Sequence, residues 1–189
     1  KDRYYLYKSY WKPEETTIHI LPHWNWTGRE GEKTPVYVYT NGASAELFVN
    51  GESQGKIVKE KGRYRYKWED VIYHPGRIKT VAYDVNDKII AEKEIITASE
   101  ASQIEMIADM ENIKADGEDL CFITVQIEDE KGNFCPTADN LISFTVEGEG
   151  TIAAVGNGNP ISHESYQGNQ RHVFNGKCLL IVKSTQKVG

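Results

Sequence analysis

Beyond a short opening segment, this chain keeps one rhythm. From Thr16, the runs "TTIHIL", "TPVYVYT", "AELFVNG", "QGKIVKE", "RYRYKWEDV" and "IKTVAYDVNDKIIAEKEIIT" alternate β-branched or aromatic residues with polar ones. A period of two sends successive side chains to opposite faces of a strand. Turn signals interrupt the runs: Asn50-Gly51, "HPGR" and Asn86-Asp87. Asn-Gly is the strongest of these, because a two-residue hairpin turn needs positive φ at both central positions. About seven strands within roughly 80 residues, with a turn every ~8–12 residues, predict an immunoglobulin-like sandwich over 14–98.

The segment "TASEASQ", residues 97–103, is small and polar and reads as a linker. Strands then resume: "IEMIAD", "LCFITVQIED", "LISFTVEG", "TIAAVGNG" and "KCLLIVKS", with turns at "EKGN" and "EGEG". They predict a second sandwich over 102–189. One more strand is expected to complete it, so this sandwich reads as truncated. No long helical stripe interrupts either half. The fold class is therefore all-β, two tandem immunoglobulin-like sandwiches, with a short helical remnant in front.

That remnant is "KDRYYLYKSYW". Tyr4, Tyr7 and Trp11 are spaced three and four apart, so with Tyr5, Leu6 and Tyr10 they can gather on one helical face. Pro13 stops the pattern. A lone short helix cannot bury so many aromatics, and residues 1–13 read as the end of something larger.

Charge narrows the function. The chain carries −6, but residues 99–189 hold 6 Lys+Arg against 14 Asp+Glu, a net −8. That acidic half argues against nucleic acid as a partner. No apolar run approaches the ~18 residues of a membrane span, and the N-terminal segment lacks the apolar core of a signal peptide. The odd count of three cysteines, Cys121, Cys135 and Cys178, excludes a fully paired disulfide framework. Their apolar neighbourhoods suit buried thiols.

No catalytic constellation emerges. "GNGNP" at 156–160 lacks the helix that a phosphate loop requires. His163, Glu164, His172 and Asp139 lack metal-ligand spacing. No carboxylate pair stands out as a glycosidase couple. No cofactor and no metal are implied.

The remaining feature is "HWNW": His23, Trp24, Asn25 and Trp26, holding two of the chain's four tryptophans. Three readings stay open. The tryptophans can form a core wall, since residues two apart on a strand share a face. They can stack on a sugar while His23 or Asn25 bonds a hydroxyl. They can dock on another domain. Asn25-Trp26-Thr27 is also a formal glycosylation sequon.

At this point the residues resemble a known family. "KDRYYLYKSYW" resembles the closing segment of the catalytic barrel of glycoside hydrolase family 2 β-galactosidases. "LPHWNW", "VYVYTN" and "ELFVNG" are similar to the sandwich that follows it, and "VGNGNPISHESY" with "FNG" to a further bacterial-immunoglobulin or invasin-like sandwich. The resemblance implies a bacterial, periplasmic or secreted, retaining β-galactosidase as the parent protein. Its two catalytic glutamates have no match here, so this chain is expected to be inactive alone. His23, Trp24, Asn25 and Trp26 are then candidates to face the missing barrel of the same polypeptide, or its substrate. The implied partners are that barrel and galactosides or a polysaccharide. The alternatives are an independent carbohydrate-binding module and an immunoglobulin-like structural or adhesion spacer.

Overall fold

A helix, α1 (Asp2–Trp11), leads into β1 (Ile18–Leu21), β2 (Val36–Thr40), β3 (Ser44–Val49), β4 (Glu52–Val58), β5 (Tyr66–Trp68), β6 (Arg77–Tyr83) and β7 (Ile89–Ile96). The structure is a computed structural model and describes residues 2–189. Residues 2–97 and 98–189 form separate compact units, each with its own apolar core.

In the first unit, all pairing is antiparallel, in a three-stranded sheet β1-β2-β5 and a four-stranded sheet β4-β3-β6-β7. Alternation decides what is buried. Val36 and Val38 of β2 point inward with Tyr66 and Trp68 of β5, against Leu47 of β3 and Ile78 of β6. The anticipated hairpin turn is present. Asn50 and Gly51 have φ of 50° and 89°, and Val49 pairs with Glu52 across them. Asn50 also uses its side chain, which accepts from the Arg77 amide at 2.7 Å. The outer face of the three-stranded sheet carries α1. Tyr5 stacks on His19 at 4.1 Å, and His19 Nε2 meets Asp2 Oδ1 at 2.8 Å. Hydrogen bonds from Lys12 and Lys8 hold the Glu15 carboxyl down at about 2 and tie the helix end to the following turn.

The second unit contains β8 (Gln103–Ala108), β9 (Leu120–Glu128), β10 (Leu141–Ser143), β11 (Gly150–Gly156), β12 (Gln170–His172) and β13 (Lys177–Ser184). Four form the sheet β11-β13-β9-β8, and two form the short sheet β10-β12. β12 lies inside the polar run "ISHESYQGNQRHVF", where the sequence signals only a loop. It forms by antiparallel pairing with β10, after which Asn175 and Gly176, with φ of 52° and 75°, turn the chain into β13. The segment before β8 is anchored rather than free. Ala98 is buried, Ser99 donates its amide and hydroxyl to Asp129 Oδ2 at 2.9 and 3.2 Å, and the Ser102 amide bonds the Glu128 carbonyl.

Asp129 is the second unit's polar keystone. It is 1% exposed. Its carboxylate accepts from Asn133 Nδ2, from the Ser99 amide, and from the amides of Asn133 and Lys131. These donors hold its carboxyl well below the usual carboxylate range. Burial raises the Cys178 thiol to about 11, and all three cysteines are free and buried. Among the described residues, no helix is long and apolar enough to cross a membrane.

Candidate functional site

After β1 the chain leaves regular structure, and that departure decides the fate of "HWNW". Trp24 and Trp26 do not share a strand face, because residues 22–26 are not in a strand. Trp24 turns inward and is 0% exposed. Its ring meets Tyr73 edge-on at 5.0 Å, and its Nε1 donates to the His74 carbonyl at 3.0 Å. The expectation that Trp24 faces a barrel or substrate is therefore corrected: it is a core residue. It joins the core that Ile20 of β1 enters and that Ile18 and Trp26 pack against.

Trp26 is half-buried. His23 stacks on it at 4.2 Å, the Arg29 guanidinium lies over it at 5.0 Å, and its amide donates to Tyr73 Oη at 3.1 Å. A ring engaged this way has little free face for a pyranose. Trp26 Nε1 is buried without a hydrogen-bond partner in the structure. Burial lowers the His23 pKa, so the ring is neutral at neutral pH. Its Nδ1 accepts from the Asn25 amide at 3.2 Å, which places the proton on Nε2. Asn25 is half-buried beside them.

The larger outward surface is on α1. Tyr5, Leu6 and Ser9 turn toward the sheet, while Tyr4, Tyr7, Tyr10 and Trp11 are 61, 47, 57 and 70% exposed. The helix thus splits the aromatics that its spacing suggested would sit together. Tyr7 stacks on Trp11 at 4.7 Å, and Tyr10 meets Tyr64 edge-on at 5.2 Å. A slot of about 380 Å³ opens alongside, lined by Leu6, Tyr39, Tyr64, Arg65 and Lys67 among others. Arg65 and Lys67 lie 4.8 and 5.6 Å from the Tyr37 ring. Contiguous exposed aromatic surface of this kind is what an interaction site presents.

In the second unit, Glu164 and His172 do meet, at 2.7 Å, but around a cation. Arg171 is 0% exposed and donates to the Glu164 carbonyl at 3.0 Å and to Asn157 Oδ1 at 3.1 Å. Its Nε stands 3.6 Å from Glu164 Oε2, an attraction too long to be a hydrogen bond. The hydrogen bond to His172, then the Ser162 and backbone contacts, hold the Glu164 carboxyl below its ordinary value. This network fastens the 157–169 loop. No group of metal-ligating side chains assembles among the described residues. Nothing local in this polar run marked Arg171 as buried.

Comparison with known proteins gives this geometry a context. Residues 104–189 match the family described as glycoside hydrolase family 2 C-terminal domain 5, and residues 31–91 match a domain family of unknown function, DUF4982. The chain is 46% identical over 190 residues to a β-galactosidase of Bacteroides ovatus, spanning 100% of this chain and 22% of that protein. It is 33% identical over 150 residues to a β-glucuronidase of Formosa agariphila, covering 78% of this chain and 15% of that one. Among solved structures, a β-glycosidase from Bacteroides vulgatus superposes with a TM-score of 0.94 at 33% identity, over 100% of this chain and 24% of that one. A glycosyl hydrolase family 2 member from Bacteroides cellulosilyticus gives 0.90 at 35%, over 100% and 28%. The chain thus spans under a third of each of these proteins.

Proposed function

We propose that this chain, which carries the C-terminal accessory domains of a glycoside hydrolase family 2 protein, braces the catalytic barrel of a bacterial β-galactosidase through the outward face of α1. The observation that carries this reading is the split helix. One side is fixed to its own sheet through Tyr5 and His19, while Tyr4, Tyr7, Tyr10 and Trp11 stay largely exposed, with Tyr64 meeting Tyr10 only edge-on. Residues 1–13 act as the last helix of that barrel. His23, Asn25 and Trp26 form a second, smaller contact, with Trp26 held rigid for it. The galactoside reading follows the relative with 46% identity, and a periplasmic or secreted location goes with it. The chain has no catalytic role of its own.

The test is a double change, Tyr7→Ser with Trp11→Ser. In the isolated chain its stability should move by no more than ~0.5 kcal/mol, as at an exposed surface. In the whole enzyme the same change should lower the melting temperature and the hydrolysis of a chromogenic β-galactoside. An enzyme that tolerates it unchanged would sink the bracing role. Hydrolysis by the isolated chain would sink the accessory role.

A further inference from the structure

The two sheets of the second unit are unequal, and the mismatch falls in one place. Along β9, Cys121, Ile123, Val125 and Ile127 alternate onto the inner face. The register sets Ile104 of β8 beside Ile127, and Met106 beside Val125, so both β8 residues also face inward. Yet Val125 and Ile127 are 0 and 3% exposed, whereas Ile104 and Met106 are 51 and 54% exposed. Cover stops between β9 and β8. The covering sheet holds only β10 and β12. β12 contacts β11 at the far side, which leaves β10 nearest the opening. Among the described residues, no second strand pairs with β10. A free backbone edge therefore borders an uncovered apolar face.

We infer that this gap is closed by a further β-strand of the same polypeptide, paired to the free edge of β10, with alternate apolar side chains over Ile104 and Met106. A strand fits better than a helix because, among the described residues, the short β10 pairs with a strand on one edge only, and a second strand extends a sheet from such an edge. The same polypeptide fits better than a second copy because the unit carries −8. Two such units would repel each other, while a tethered strand gains from high effective concentration. The relatives supply the material, since the chain spans 22% of the B. ovatus protein. The inference shares with the proposed function only the premise of a longer polypeptide and does not depend on what α1 touches.

The chain's two methionines, Met106 and Met110, provide a readout independent of activity and of α1. Methionine oxidation follows exposure. Treatment with hydrogen peroxide, read residue by residue by mass spectrometry, should oxidise Met106 readily in the 189-residue chain, and about tenfold or more slowly in the protein from the complete reading frame. Met106→Lys should leave the melting temperature of the isolated chain unchanged and lower that of the whole protein. Equal oxidation rates in both, or a Met106→Lys whole protein that melts as before, would overturn the inference. So would protection in the isolated chain that grows with concentration alongside a dimer mass, which would assign the gap to a second copy.

Discussion

The two units solve the same packing problem with different materials. The first holds all four tryptophans, and its core joins Trp24, Trp68, Tyr66 and Tyr73 to aliphatic residues between sheets of three and four strands. Three of these rings donate to a backbone carbonyl, Trp24 to His74, Trp68 to Gly55 and Tyr66 to Gly42, while Nε1 of the half-buried Trp26 is left without a partner among the described residues. The second unit has no tryptophan, opposes four strands with two, and relies on two buried charges, Asp129 and Arg171. Large rings close a small sandwich by area, at roughly 25 cal/mol per Å² of apolar surface removed from water. Buried charges close it only if every donor and acceptor around them is in place. The first unit should therefore fail by losing volume, and the second by losing a hydrogen-bond partner.

The largest expected effect tests the aromatic side of that contrast. Trp24→Ala empties a fully buried site and should destabilise the first unit by ~3–5 kcal/mol. Urea unfolding followed by fluorescence of the remaining tryptophans would detect it. A cost under ~0.5 kcal/mol, typical of a surface position, would return Trp24 to the exterior. Next comes Arg171→Ala, which leaves Asn157 and Glu164 without their buried cation and should cost the second unit about 3 kcal/mol. Hydrogen exchange of β12 and β13 amides would report it, and the first unit's amides should stay unchanged. If both units soften together, their stabilities are not independent.

A milder effect concerns pH. The folded-state carboxyl of Asp129 is depressed, so its stabilisation is fully present above the unfolded value near ~4 and fades as pH falls below it. The second unit should weaken on acidification through that range, and Asp129→Asn should flatten its acid limb while leaving the first unit's limb unaltered. Denaturation midpoints taken from neutral pH down to about 3 would measure this. Parallel acid limbs for wild type and Asp129→Asn would remove Asp129 from its keystone role.

Legibility in the sequence followed the range of the interactions. Strand cadence, the Asn50-Gly51 turn and the helix before Pro13 are set by neighbours a few residues apart, and each stands in the structure. The candidate site was legible in part. His23, Asn25 and Trp26 stay together but half-buried, with Trp26 packed on the core, and the aromatic helix keeps an outward face. For Trp24 the core wall was one of three open readings, and the sequence could not choose it, because β1 ends at Leu21 and the ring's partners Tyr73 and His74 lie some fifty residues away.

By itself, then, the sequence determined an all-β chain with a short aromatic helix in front, since alternation and turn chemistry are local properties. Tertiary structure alone decided which faces are covered. Trp24 is buried by Tyr73 and His74, some fifty residues away. Arg171, in a run as polar as any exposed loop, is buried because β12 lands beside β10 and brings Glu164 and Asn157 around it. Tyr7 and Trp11 stay outside although they are as apolar as many core residues. A side chain's local pattern fixes its direction from the backbone. Whether water or protein lies in that direction depends on distant segments, and no local pattern encodes their arrival.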